Sequence, residues 1–555
     1  MKAPIIFTAA AMAAFLAIVG AGSAHASEDK LVIGVSQFPQ GFHPNFASHV
    51  TLSLVLGMSR RPFTVYDANW DLVCLLCEVL PSRENGMIRD WTTPDGKDGL
   101  AIDYTIRKGA TWGDGVPLTT EDVLFTWEVG RNEAAGVNNQ ELYRRMEKIE
   151  ARDDRNFTIF WNKRVCEAEA INDFEVVPAH LEREAASDPA AYRIRNAYDS
   201  DPTQAGLYYG PYRVTRVDPG ATIVLEPNPN WRGKAPHFKK ITVRTIENTA
   251  ALEANLLSGE IDYIAGEDGI SLDQAIAFEK RHADKYNVVF KSGLFYEHID
   301  LMLDNPVLQD VRVRRALLYA MDRQSISTRL FEGKQPVADT GVHPLDLMHT
   351  DDVRKYPFEP ETAKRLLVEA GWTDIRDGIR HNAVGEPLRI EIMTTAGNRV
   401  RELVEQVIQS NYRDIGVDLR IRNQPARVLF GQTIRKREFG ALAMFAWFSS
   451  PKNVPRTTLY STMIPSEANN WSGQNYGGYR SGKMDEAIDK VEVMCSDADQ
   501  KKYWTEIQQT YAKDLPALPL YFRANAFVMP PWLKGVTPTG HQYPSTLWVE
   551  NWTAE

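Results

Sequence analysis

Beyond its first 26 residues the chain contains no apolar run of the ~18 residues a membrane-crossing helix needs, so nothing past that point is expected to span a bilayer. Cysteine is scarce: Cys74, Cys77, Cys166 and Cys495 are all there are. An even count would, in an oxidising compartment, be compatible with two disulfides in any of three connectivities. Cys74-Leu-Leu-Cys77 has redox-motif spacing, but both intervening residues are Leu and no thioredoxin-like strand and helix surround it, so a structural disulfide or buried thiols fit better. Positive excess is missing too. With 63 Lys and Arg against 73 Asp and Glu, the net charge of −10 argues against a nucleic-acid partner, whose binding domains usually carry a basic patch or stripe. There is no G-x-S-x-G elbow, phosphate loop, H-E-x-x-H pair or G-x-G-x-x-G turn. No catalytic residue, metal site or cofactor is therefore expected. His343 and His349 bracket a loop-like segment without ligand spacing and are expected to be solvated.

What is present begins with Lys2, an apolar stretch from Ala3 to Ala21, and Ala24-His25-Ala26 ahead of polar Ser27-Glu28-Asp29-Lys30. That pattern predicts a secretory signal peptide cleaved after Ala26 and a periplasmic mature chain. No Cys follows the run, so lipid attachment is not indicated.

Strand and helix signals then alternate along the chain. Leu31 to Val35 reads as a buried strand, and Thr119 to Asp122 as a capping box opening a helix. Asp310 caps a stripe of Val313, Ala316, Leu317 and Ala320, and Asp322 caps a second helix that Gly333 stops. Pro360 opens a helix ended by Gly371; Val400 to Ile408 stripes another, and Val417, Leu419 and Ile421 alternate as a strand. Tyr503, Ile507 and Tyr511 mark a helix followed by a strand from Ala517 to Phe522. This alternation predicts α/β lobes with parallel or mixed sheets. At 555 residues the chain is long enough for two to four domains.

Aromatic residues are plentiful, and most belong in cores. Some sit among loop-forming polar residues, in Trp447-Phe448-Ser449-Ser450-Pro451, Trp471-Ser472-Gly473 and Phe38-Pro39-Gln40-Gly41-Phe42. These are candidates for lining a cleft.

Several segments, in order, resemble one family. They are Tyr104-Thr-Ile-Arg-Lys-Gly-Ala-Thr-Trp112 running on to Phe125, Gly210-Pro-Tyr-Arg-Val214 with Asn228-Pro-Asn-Trp231, and Leu257-Ser-Gly-Glu-Ile-Asp262. The series continues with Asp310 to Arg323, Ala363 to Trp372 and Asp514-Leu-Pro-Ala-Leu-Pro-Leu-Tyr521. The chain thus resembles family 5 of the bacterial extracellular solute-binding proteins, the dipeptide-, oligopeptide- and nickel-binding proteins of ABC importers. The resemblance implies a two-lobed periplasmic-binding-protein fold with a hinge and an extra domain inserted in the first lobe. Lobe one is expected at 27–60, 190–293 and 521–555, the inserted domain at 61–189, and lobe two at 294–520, with hinge residues near Leu294 to His298 and Pro519 to Arg523. It also implies a monomer that closes on a small-molecule or peptide ligand and docks on a membrane permease without chemistry on the ligand.

In the family's peptide binders a W-x-x-D-Y segment supplies an aspartate for the peptide's free amino group. Here the tryptophan is Trp447, the aspartate position is Ser450, and no carboxylate occurs from Phe439 through Ser466; Lys452 and Arg456 lie there instead. A buried ammonium without an anion is costly. The ligand is therefore expected to be a peptide or peptide-like solute held by an acid from elsewhere in the chain, or a modified peptide, an oligosaccharide or an anionic small molecule. An exported hydrolase is the alternative from a different class. Candidate ligand residues are Trp447, Ser449 and Ser450, with Arg435, Gln37, Phe38, Tyr296, Trp471 and Asn475 by matching position.

Overall fold

A computed structural model describes residues 29–39, 41–47, 50–164, 168–425, 428–469, 473–494 and 496–555. The expected signal peptide, Cys166, Cys495 and Trp471 lie outside the described residues.

Helix boundaries follow local chemistry. The helix Thr120–Arg131 starts on Thr119 with both arms of the capping box to Asp122 formed. Asp310 caps Val311–Tyr319 by accepting from Arg312 N, and Pro360 opens Pro360–Glu369. Arg399–Asp414 buries Val404 and Ile408, leaving Leu403 exposed. The helix expected from Asp322 is short: Arg323–Ser325 widens at once into the π-turn Ile326–Leu330.

The main sheet has ten strands and mixed direction. From one edge the order is Asp418–Ile421, Arg389–Met393, Leu442–Phe448, Asn287–Leu301, Ala517–Met529, Tyr263–Ile264, Lys30–Val35, Lys240–Thr245, Thr222–Pro227 and Tyr212–Asp218. Lys30–Val35 pairs in parallel with both its neighbours. Arg389–Met393 does the same at the other end. The two longest strands, Asn287–Leu301 and Ala517–Met529, run antiparallel through the middle, and their register shifts between Ser292 and Tyr296 and again between Glu297 and His298.

The two largest clusters of buried apolar side chains draw on different parts of the chain and share the strand Ala517–Met529. One draws on residues 31–265 and 527–552, the other on residues 299–521. A separate four-stranded antiparallel sheet, Ile88–Thr92, Asp98–Thr105, Asn156–Trp161 and Met146–Ala151, contributes Ile102, Tyr104, Phe157 and Ile159 to the first cluster. Cys74 and Cys77 are joined by a disulfide beside it.

His343 corrects an expectation. It is buried, its Nε2 lies 3.0 Å from Ser292 Oγ, and its ring meets Trp70 and Phe522. Burial lowers its pKa to about 3. The loop is drawn into the sheet's central strands instead of standing in water.

Candidate functional site

Side chains alternate across a strand, and in Asn287–Leu301 this sorts two kinds of chemistry. Tyr296, His298 and Asp300 stand opposite Trp447, Phe445 and Ala443 of the neighbouring strand and share one face. Glu297, Ile299 and Leu301 point the other way, the last two into the second core cluster.

The first face floors a cavity of about 380 Å³, enclosed further by Tyr476, Trp504 and Tyr511. The rings are ordered in a file. Tyr296 stacks on His298 at 5.0 Å, Trp447 lies 6.3 Å beyond, and Tyr476 stacks on Trp447 at 5.9 Å. Phe445 meets Trp447 edge-on at 5.3 Å. The Tyr296 and Tyr511 hydroxyls are hydrogen-bonded at 2.8 Å. Burial, with further contributions from charged neighbours including Asp300, pushes both phenols up. Asp300 is 13% exposed and its Oδ1 lies 3.2 Å from His298 Nε2. Among the described residues, no Lys or Arg lines this cavity. Lys452 Nζ is paired with Asp497 at 2.7 Å, and Arg456 with Glu492 and Asp489.

A second cavity of about 440 Å³ lies against residues of the first cluster's side. Phe448 lines both cavities, and its ring stacks on Phe295 at 3.9 Å. Asp173, Glu175 and Glu267 face this second space. Burial raises all three carboxyls, Glu267 to about 7. Arg60, on the same wall, lies over the rings of Tyr198 and Tyr209 and 3.5 Å from Glu175.

Among the residues singled out from the sequence, Trp447, Ser449, Tyr296 and Asn475 converge on the first cavity. Asn475 also holds its loop together, donating to Tyr460 O and Tyr479 O. Ser450 is half-buried next to the cavity but outside its lining. Arg435 is exposed and lines neither cavity. Gln37 is exposed, with its backbone N donating to Asp268, and Phe38 packs edge-on against Phe42 at 6.5 Å. Neither lines either cavity, because the turn after Lys30–Val35 is tied down to Asp268. His298, Asp300, Tyr476 and Tyr511 were missed. The first two sit on the same face as Tyr296, two and four residues further along the strand.

The match to the family model for bacterial extracellular solute-binding proteins, family 5 (middle), spans residues 85–470, more than half of the chain. The oligopeptide-binding protein AppA of Bacillus subtilis is 27% identical over 449 residues, covering 79% of this chain and 78% of its own. The crystal structure of an oligopeptide-binding protein from Thermus thermophilus, complexed with a pentapeptide, superposes with a TM-score of 0.72 at 29% identity, covering 95% of this chain and 96% of that one. NikA from Brucella suis, in complex with Fe(III)-EDTA, gives 0.76 at 21% identity over 95% and 100%. The fold is accordingly that of the two-lobed, mixed α/β binding proteins, and the chain belongs to family 5 of the bacterial extracellular solute-binding proteins.

Proposed function

We propose that this chain captures a peptide or peptide-like solute in the cleft between its lobes and hands it to the membrane permease of an ATP-driven importer. The observation that carries the reading is the convergence of Tyr296, Trp447, Ser449 and Asn475 on one aromatic cavity beside the paired central strands. Such a space offers broad apolar contact with a few polar groups to orient a ligand. Relatives named for oligopeptide binding support the peptide class. A ligand bridging the two cavities at Phe448 would favour the closed form by its differential affinity for it. The protein acts as a monomer, does no chemistry on its cargo, and works in the periplasm after cleavage behind Ala26. In this reading lobe one comprises 27–60, 190–293 and 521–555, lobe two 294–520, and the inserted domain 61–189. Ser449 and Ser450 remain the polar groups nearest Trp447 in sequence, with Trp471 placed by its family position alone.

Native mass spectrometry of the protein taken from the periplasm without refolding tests the reading. A ladder of bound masses fitting short peptides is expected. A single non-peptide mass overturns the peptide assignment.

A further inference from the structure

The charges facing the cleft are lopsided. Among the described residues, Asp300 stands in one cavity and Asp173, Glu175 and Glu267 in the other, against a single guanidinium, Arg60. Arg60 is only partly engaged, its Nε and Nη1 being buried without a hydrogen-bond partner among the described residues. It is fully buried, donates to Val176 O and to the Tyr209 hydroxyl, and neighbours Glu175. No lysine among the described residues lines either space. Besides those of Arg60, three polar atoms among the described residues are unmatched within these walls, one of them Trp504 Nε1. Glu267 Oε2 is buried without a hydrogen-bond partner among the described residues, its other oxygen taking only the Ser545 N–H and hydroxyl at 3.3 and 3.4 Å. His298 Nε2, the neighbour of Asp300, also lacks a hydrogen bond of good geometry among them.

Around Asp300 the surroundings suit a cation. A carboxylate taken out of water needs a positive partner. Here the walls include Tyr296, Trp447, Tyr476, Trp504 and Tyr511, aromatic rings of the kind that attract positive charge, with neutral polar side chains such as Asn475 and Gln508 between them. Ala517, directly across the partner strand from Asp300, is a small residue of the cavity lining. An anionic ligand at this place would meet the Asp300 carboxylate with no Lys or Arg among the described residues lining the same cavity, which disfavours it.

We propose that the cleft selects cationic solutes and that Asp300 holds one amine or guanidinium of the ligand, in place of the aspartate absent at Ser450. The acidic wall of Asp173, Glu175 and Glu267 receives further positive charge across the Phe295–Phe448 stack. This rests on the cleft being the ligand site, and with the peptide reading it names the cargo as basic peptides.

The test uses the full mature chain, freed of co-purified ligand by dialysis in high salt and returned to low salt. Calorimetric Kd values are compared for tri-lysine, tri-alanine, tri-glutamate and spermidine, on the parent and on Asp300→Asn. Tri-lysine is expected to bind at least tenfold tighter than tri-alanine, with tri-glutamate weakest. The substitution should weaken tri-lysine about 10- to 100-fold, the scale of one charge-assisted hydrogen bond. Equal binding of all three tripeptides, or an unchanged tri-lysine Kd in Asp300→Asn, overturns the cation assignment and leaves the peptide reading standing. Spermidine binding without any tripeptide binding does the reverse, and binding of none of the probes overturns both. Should Asp300→Asn fail to fold, the charge series on the parent decides alone.

Discussion

Glu297 sits on the strand Asn287–Leu301 where it pairs with Ala517–Met529, fully buried, between two arginines. Its Oε1 accepts from Arg401 Nε at 2.6 Å, and its Oε2 from Arg523 Nε at 2.6 Å and Nη2 at 2.5 Å. Arg401 rises from the helix Arg399–Asp414 of one lobe, while Arg523 belongs to the partner strand. One carboxylate thus ties a helix to both central strands. Glu297→Gln keeps the shape, deletes the charge and leaves two guanidiniums facing each other. Removing one partner of a buried ion pair costs about 3–5 kcal/mol. At about 2–4 °C per kcal/mol for a lobe of this size, the Tm should fall by about 6–20 °C. Burial alone would push the Glu297 carboxyl up, but Arg523 and Arg401 outweigh it and hold it below its ordinary 4.5. A depressed acid stabilises above its unfolded pKa and loses that contribution as pH falls through its folded one. The gap between parent and variant should therefore be full at pH 7 and narrow only below about pH 4.5. Differential scanning calorimetry at pH 7 and pH 3.5 reads both. A Tm within about 1 °C of the parent at pH 7 refutes the triad as a tie; a gap that does not change with pH refutes its electrostatic origin.

Three further outcomes follow from the geometry. Trp447→Ala should weaken the co-purifying ligand about 30-fold or more, the loss typical of a central aromatic anchor, with Tm little changed; an unaltered Kd by fluorescence titration removes Trp447 from the site. His343, held near 3 by burial, binds a proton more readily when unfolded, so stability drains as pH falls below 6.5. His343→Gln should accordingly gain about 2 kcal/mol on the parent between pH 7 and pH 5 in urea melts, and parallel curves would count against the buried neutral ring. Reducing Cys74–Cys77 opens a short loop, for which chain entropy predicts a loss of about 2 kcal/mol, and a melting curve indifferent to reductant would contradict it.

Much of the frame was legible in the residues because it rests on local rules. Thr119 with Asp122, Asp310, Pro360 and Gly371 end or begin helices by chemistry within one turn, and all act where the pattern put them. Trp447 was legible for a similar reason, as an aromatic at a strand end running into a polar loop. Arg435, Gln37 and Phe38 show where that logic stops. Whether a side chain enters a cavity depends on which way its loop is drawn, and for Gln37 and Phe38 that is decided by Ser36 Oγ and Gln37 N bonding to Asp268, a residue far along the chain. The burial of His343 fails to show in sequence for the same cause: its partners Trp70, Ser292 and Phe522 come from three distant segments.

The missing aspartate at Ser450 and the presence of Asp300 form a single argument about the strand. Tyr296, His298 and Asp300 look into the cavity, and Glu297, between them, looks into the ion triad behind. Any ligand charge held by Asp300 pulls on a strand fixed at its back to both Arg401 and Arg523. The triad should therefore matter for binding as well as for folding. In Glu297→Gln the Asp300 carboxylate is still present, so a rigid, independently positioned site would keep its tri-lysine Kd. A site positioned through the strand would lose affinity, and conservative Glu297→Asp should recover part of it. An unchanged Kd in Glu297→Gln, in protein shown folded by its melt, would mean that the front and back of this strand act separately.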